Sequence, residues 1–265
     1  MNLPTVQIIK FLTFCLFISL ISCSSKNEAA KEEQINIRDQ VKIELIDSTS
    51  INSIKGNLSL KQISTVPINI ILTGLKEHRL VTVYKSRVVN EKKDTYSYSS
   101  RNYNESGESE IQEHFMPGID LVYGYNLLNI AHYDLTTEKL NFLFDHPVLV
   151  KSLYYPSFVQ DSVNKKPINR NYYLVSVYDA DTNADTLINK NDLRRLFYFN
   201  TNCNEKIQLI PPAYSVVRSK YDPMNDVVYI FAHQDANGNG KIEREEPLHI
   251  FWFSLKQPAE AKRLY

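Results

Sequence analysis

Residues 226–255 read Asp-Val-Val-Tyr-Ile-Phe-Ala-His-Gln, then Asp-Ala-Asn-Gly-Asn-Gly-Lys-Ile-Glu-Arg-Glu-Glu, then Pro-Leu-His-Ile-Phe-Trp-Phe-Ser-Leu. The first and last segments are rich in β-branched and aromatic residues, which favour strands. Pro247 directly follows the polar middle segment, and a proline is tolerated only in the first turn of a helix. This stretch therefore predicts a strand, a polar loop and a second strand.

The loop 235–246 carries oxygen-bearing side chains at the spacing that a hard cation requires. Calcium takes about six to eight oxygen ligands, and oxygens occur here at loop positions 1, 3, 5, 9 and 12. Gly240 at position 6 can adopt the positive φ of a sharp turn. The run resembles an EF-hand calcium loop, although strands flank it, and the alternative interpretation is an Asx-rich surface turn. The ligands implied for Ca²⁺ are Asp235, Asn237, Asn239, the carbonyl of Lys241, Glu243 and Glu246.

A second loop of this kind begins further upstream, at Asp179. Strand-like segments flank it at 172–178 and 196–200, and their counterparts are 228–234 and 250–254. The repeat distance is shorter by two after the loop than before it, which predicts that the upstream loop is the longer one by two residues. Ala184 replaces the glycine, so a degenerate loop without metal is the alternative. The candidate ligands for a second ion are Asp179, Asp181, Asn183, Asp185 and Asp192.

A third relative, residues 128–144, reads strand, turn, strand and aligns with residues 196–210. Internal repeats of this kind indicate stacked supersecondary units. The pattern of an aromatic residue, Asp-Leu-Thr-Thr, a lysine and an aliphatic strand resembles the outer hairpin of TolB-like and WD-type β-propeller blades. The resemblance implies an all-β fold of antiparallel four-stranded repeats, β-propeller-like, in which the strand before each calcium loop is the second of a blade. First strands are expected at 152–158 and 214–220, and the closure of a ring stays open.

The N-terminus predicts a lipoprotein signal peptide at residues 1–22. Lys10 precedes an apolar run that is too short to span a bilayer comfortably. Leu-Ile-Ser-Cys at 20–23 resembles a bacterial lipobox, which implies cleavage before Cys23 and lipidation of its thiol and new amino group. Ser24 after that cysteine resembles the signal for sorting to the outer membrane. The alternatives are an ordinary secreted protein and a short membrane anchor.

Three further regions are expected after the signal peptide. Residues 23–40 are polar and predict a flexible tether. Residues 41–124 predict an N-terminal β region with a long exposed loop at 92–124, and residues 125–265 form the β-repeat region. Strand candidates of the N-terminal region, for a fourth sheet or a small sandwich, lie at 41–47, 57–63 and 67–72.

Composition narrows the function classes. Without the signal peptide, 29 basic residues face 30 acidic ones, and this balance gives no indication of nucleic acid as a partner. Only Cys203 would remain unmodified, so no intrachain disulfide is available. We find no nucleophile elbow, zinc-binding helix or phosphate-binding glycine loop.

The sequence favours a lipid-anchored envelope protein whose calcium-stabilised β-repeat domain binds or scaffolds a partner, without enzymatic activity. Its partners would be the membrane, through the anchor, and a protein or glycan. Two alternatives are a surface glycan-binding lipoprotein that uses aromatic side chains such as Trp252, and a hydrolase with structural calcium.

Overall fold

The computed structural model describes residue 50, residues 52–86 and residues 116–265. These residues belong to one compact unit, which spans 40–265. The signal peptide, Cys23, the tether, the strand candidate at 41–47 and most of the loop expected at 92–124 lie outside the described residues. None of the described residues forms a helix long and apolar enough to cross a membrane.

The described part of the chain is all-β, apart from one 3-10 turn at Leu60–Gln62. The strands are β1 Ile54–Lys55, β2 Thr65–Leu72, β3 His78–Lys85, β4 Ile119–Asp134, β5 Lys139–Phe142, β6 Leu149–Pro156, β7 Asp161–Val163, β8 Lys166–Ile168, β9 Tyr172–Tyr178, β10 Leu187–Ile188, β11 Arg195–Asn200, β12 Lys206–Gln208, β13 Tyr214–Asp222, β14 Val227–Gln234, β15 Leu248–Ser254 and β16 Gln257–Arg263.

Three antiparallel four-stranded meanders follow one another along the chain. The first repeat is β2–β3–β4–β5, the second is β6–β9–β11–β12 and the third is β13–β14–β15–β16. In the second and third repeats, the candidate calcium loop connects the second strand to the third. The prediction of an all-β, antiparallel repeat architecture is confirmed.

The long strand β4 joins the first two repeats into one sheet of eight strands. Its C-terminal half pairs with β3 and β5, and its N-terminal part pairs with β6, with a register shift between Tyr123 and Leu127. The described strands close neither a barrel nor a propeller ring.

Two local expectations differ from the structure. β4 begins at Ile119, inside the segment expected to be an exposed loop, because Ile-Asp-Leu-Val-Tyr is strand-forming and finds a partner in β6. The boundary expected between residues 124 and 125 therefore falls within a strand. Residues 57–63 form turns and the 3-10 turn rather than a strand, and the backbone N–H of Ser59 donates to Gln62 Oε1 at 2.8 Å.

The core lies on both faces of the second repeat. Every residue of β9 is buried, as expected for a middle strand that is covered on both sides. One apolar cluster joins this repeat to the third repeat, through side chains such as Leu174 and Phe253. Another joins it to the first repeat, through side chains such as Tyr173 and Leu80. The repeats thus hold both loops at the ends of well-packed strands.

Candidate metal-binding loops

Hydrogen bonds from its own backbone curl the downstream loop, residues 235–246, around its side-chain oxygens. Asp235 accepts from the N–H of Asn239 through Oδ1 and from the N–H of Gly240 through Oδ2, both at 3.0 Å. Asn237 Oδ1 also accepts from the N–H of Asn239, at 2.9 Å. Positions 1 and 3 of the loop therefore face the turn at positions 5 and 6.

The second half of the downstream loop closes onto the first. Glu246 is buried, and its two carboxylate oxygens accept from the N–H groups of Ala236 and Glu243, each at 3.0 Å. The carboxylate of Glu243 accepts from the side-chain amides of Asn237 and Asn239, at 3.0 and 2.8 Å. Positions 3, 5 and 9 are thus in direct contact, and position 12 ties the start of the loop to its end.

The upstream loop repeats these hydrogen bonds when Asp181 is aligned with Asp235. Asp181 accepts from the N–H groups of Asp185 and Thr186, at 3.1 and 2.8 Å, as Asp235 does from the residues four and five positions later. Thr186 has a φ of +72°, and Gly240 at the matching position has +71°. Asp181 therefore occupies position 1.

Asp192 closes the upstream loop in the way that Glu246 closes the downstream one. Its Oδ1 accepts from the N–H of Thr182 and its Oδ2 from the N–H of Asn189, both at 2.8 Å. These donors are positions 2 and 9, so Asp192 is position 12 of a loop that runs from 181 to 192. We call residues 181–192 the upstream loop.

This register differs from the one expected from the sequence, which began the loop at Asp179. The two additional residues precede the loop: Asp179 and Ala180 connect β9 to Asp181. Asp179 faces an open cleft instead, its Oδ1 lacks a hydrogen bond, and Arg195 Nε lies 3.9 Å away. Burial raises the pKa of Asp179, and the positive charge of Arg195 opposes this shift.

The new register changes the set of candidate ligands. Asp179 drops out, and the carbonyl of Leu187 and the side chain of Asn189 take positions 7 and 9. Sequence reasoning missed both residues. A sequence signal does identify them. When the strand that follows the upstream loop is aligned with the strand that follows the downstream loop, counting back from these strands matches Asp181 with Asp235. The candidate ligands of the upstream loop become Asp181, Asn183, Asp185, the Leu187 carbonyl, Asn189 and Asp192.

The two loops touch each other at Gly240. Thr182 Oγ1 donates to the carbonyl oxygen of Gly240 at 2.7 Å, and Thr182 Oγ1 in turn accepts from the N–H of Leu193 at 2.9 Å. A Cβ atom on Gly240 would lie only 1.8 Å from the carbonyl oxygen of Thr182. The backbones of the two loops are therefore packed directly against each other.

The candidate oxygen ligands of both loops fit a hard cation. Each loop has carboxylates at three of its candidate ligand positions, 1, 5 and 12 upstream and 1, 9 and 12 downstream. Burial raises the pKa of Asp192, opposed by hydrogen bonds from the N–H groups of Asn189 and Thr182, so its charged form carries a desolvation cost that a cation would offset. Asn183 Nδ2 is buried without a hydrogen-bond partner, whereas the matching amide of Asn237 reaches Glu243.

Carboxylates alone do not complete either site. Within the described ranges, no group of three or more His, Cys, Asp or Glu side chains is placed to hold a metal ion. Amide and backbone carbonyl oxygens would have to contribute, which is ordinary for calcium and unusual for softer metals.

Comparison of the sequence with protein-family models, with curated proteins and with solved structures gives no match.

Proposed function

We propose that this chain is a lipid-anchored cell-envelope protein whose β-repeat domain is stabilised by calcium and binds or scaffolds a protein or glycan partner. The observation that supports the calcium part is the hydrogen-bond pattern of the downstream loop and its copy in the upstream loop. Two loops with one geometry, at equivalent places in two repeats, are better explained by a shared ligand than by an isolated surface turn.

A bound Ca²⁺ would supply positive charge to the carboxylates at the three acidic ligand positions of each loop. The downstream ligands would be those expected from the sequence, Asp235, Asn237, Asn239, the Lys241 carbonyl, Glu243 and Glu246. The chain's own part is to pre-order these oxygens through backbone N–H groups and to bury the closing carboxylate. With two amides among the ligands, we expect a dissociation constant on the order of 10⁻⁵–10⁻³ M, as in extracellular modules.

Replacing the closing ligand tests this proposal. At calcium tenfold above the dissociation constant, binding adds about 1.4 kcal/mol to the free energy of unfolding. Glu246→Gln should lose much of that increment, because one charged oxygen is removed from position 12. Thermal melts in calcium and in chelator measure the increment, and calorimetry measures the affinity.

Glu245→Gln is the matched control, since Glu245 is an exposed neighbour with the same charge at a position that supplies no ligand. It should keep the calcium increment of the wild type. Equal melting temperatures of the wild type in calcium and in chelator, with no binding at millimolar calcium, would leave the run as an Asx-rich turn.

The envelope anchor has its own test at Cys23. Only a thiol accepts the diacylglyceryl group, so Cys23→Ser should abolish incorporation of a fatty-acid analogue during metabolic labelling. Cys15→Ser is the control, since the signal peptide that contains it is removed. Unchanged labelling of the Cys23 variant would contradict the lipoprotein proposal.

We also propose that the repeats are arranged like the blades of a β-propeller. The succession of three antiparallel four-stranded meanders supports this arrangement. Trp252 is half-buried, and the ammonium of Lys262 lies 5.9 Å from its ring centroid. A ring that is packed in this way is less suited to stacking on a sugar, and this supports a partner other than one held by Trp252.

A further inference from the structure

The two-residue strand β1 pairs with the upstream loop itself. β1, Ile54–Lys55, pairs only with β10, Leu187–Ile188, within the part of the chain that the structure describes. The N–H of Gly56 extends the contact by donating to the carbonyl oxygen of Thr186 at 2.9 Å. In the register established above, Thr186, Leu187 and Ile188 are loop positions 6, 7 and 8, so the chain leading from the N-terminus docks onto the metal-binding backbone.

The pairing of β1 with β10 depends on the same backbone conformation that orients the candidate ligands. Thr186 adopts a φ of +72°, which is unfavourable for a β-branched residue and needs support from its surroundings. That support comes from Asp181, whose carboxylate accepts from the N–H of Thr186. Gly56 also passes so close to Asp181 that an added Cβ would lie 3.0 Å from the Asp181 Cβ atom.

The pairing of β1 with β10 also places Ile54 and Ile188 in one apolar cluster. Ile54 and Ile188 are fully or almost fully buried, together with Leu128 and Leu149 from the first and second repeats. Leu58 and Ile63 of the same segment also pack in this cluster, and Lys85 Nζ donates to the carbonyl oxygen of Ser53 at 3.1 Å. The two-residue pairing of β1 is marginal by itself in water, so this part of the attachment of the segment 52–63 depends on whether the upstream loop holds its shape.

We infer that calcium in the upstream loop fastens the segment 52–63 to the β-repeat domain. Without the cation, carboxylates at positions 1, 5 and 12 repel one another, which disfavours the orientation of Asp181 that supports the strained backbone at Thr186. β10 then offers a less well-formed edge to β1. This inference rests on the proposed calcium binding and adds that the ion controls a segment near the start of the described part of the chain.

Hydrogen exchange of the full-length protein, read by mass spectrometry, tests the inference with calcium as the only ligand. Peptides that cover 52–63 should exchange about tenfold more slowly at calcium ten times the dissociation constant than in chelator, if the docked form alone binds the ion. Peptides that cover β9 should show no comparable difference, because their exchange requires opening of the whole sheet. Equal slowing of both peptides would mean general stabilisation and would overturn the inference.

Two variants sharpen the test. Asp181→Asn should abolish the calcium-dependent slowing at 52–63, whereas Asp222→Asn should retain it. The Asp222 substitution removes the same charge, and Asp222 also accepts hydrogen bonds from backbone N–H groups in a turn. This turn, however, connects β13 to β14. The β9 peptides report whether either variant unfolds.

Calorimetry on the same wild-type sample tests calcium binding separately from its effect on the segment 52–63. Calcium binding without any change of exchange at 52–63 would overturn the fastening role and leave the proposed function standing. Absence of calcium binding would contradict the proposed function, and the inference would fall with it.

Discussion

Replacing Arg170 with methionine should lower the free energy of unfolding by about 3–5 kcal/mol, because the substitution leaves the carboxylate of Asp226 buried without its charge partner. The two side chains are almost fully buried and form a bidentate pair, with Nη1 to Oδ2 at 3.0 Å and Nη2 to Oδ1 at 2.7 Å. Arg170 Nη1 also donates to the carbonyl oxygen of Leu255 at 3.0 Å.

The reason for the large effect is the position of this pair between repeats. Arg170 lies just before β9 in the second repeat, and Asp226 and Leu255 lie in turns of the third repeat. The pair thus connects two repeats that share no strand pairing. Losing Arg170 leaves the charge of Asp226 uncompensated at the buried interface between the two repeats.

Urea denaturation at neutral pH measures the expected loss, with Arg244→Met as the control. Arg244 is exposed, so its substitution should change stability by less than about 0.5 kcal/mol. The double variant Arg170→Met with Asp226→Asn removes both charges and should recover part of the loss. A loss below about 1 kcal/mol for the single variant would show that the pair does not hold the two repeats together.

Substituting Gly240 with alanine should destabilise the protein by about 2–4 kcal/mol, from backbone strain and overpacking together. Its φ of +71° disfavours any residue with a Cβ. The added Cβ would also meet the carbonyl oxygen of Thr182 at 1.8 Å, and that oxygen belongs to the backbone of the other loop. A backbone atom cannot rotate away as a flexible side chain can, so one loop must shift.

Gly238 offers a matched control within the same loop. It has a φ of +72°, and an added Cβ would meet nothing within 4 Å. Gly238→Ala should therefore show only the cost of the left-handed conformation, about 1–2 kcal/mol. The difference between the two variants isolates the contact between the loops, and equal losses would argue that the loops are not packed at Gly240.

The substitution Gly240→Ala should also weaken the proposed binding of calcium. Gly240 N–H donates to Asp235, and displacement of this backbone changes the orientation of the position-1 carboxylate. Calorimetry on the alanine variants should show a lower affinity for Gly240→Ala than for Gly238→Ala.

Local patterns in the sequence were sufficient for several strands of the second and third repeats and for the outline of the downstream loop. β-branched and aromatic content depends only on neighbours along the chain, so segments such as β9 and β14 were identified with nearly correct bounds. The spacing of oxygens in 235–246 is likewise local, since Asp235 bonds its own loop backbone within five residues.

The register of the upstream loop was predicted two residues too early, although a start at Asp181 is the one that places Asp192 at position 12. Asp179, Asp181 and Asp185 lie at odd positions of one polar run, so a start at Asp179 also places oxygens at positions 1, 3, 5 and 7. The bonds from the N–H groups of Asp185 and Thr186 to Asp181 identify the register. The completion of the first repeat by β2 and β3 was also missed, because strand pairing across residues 86–118 has no local signal.

What the sequence determined by itself was therefore short-range: the all-β class, the repeat and the spacing of candidate oxygen ligands in one loop. Tertiary structure decided the contacts between distant segments. These are the pair between Arg170 and Asp226, the meeting of Thr182 with Gly240 and the docking of β1 on the upstream loop. The physical reason is that each depends on how whole strands pack and pair, and side-chain chemistry at one end of such a contact does not specify its partner at the other.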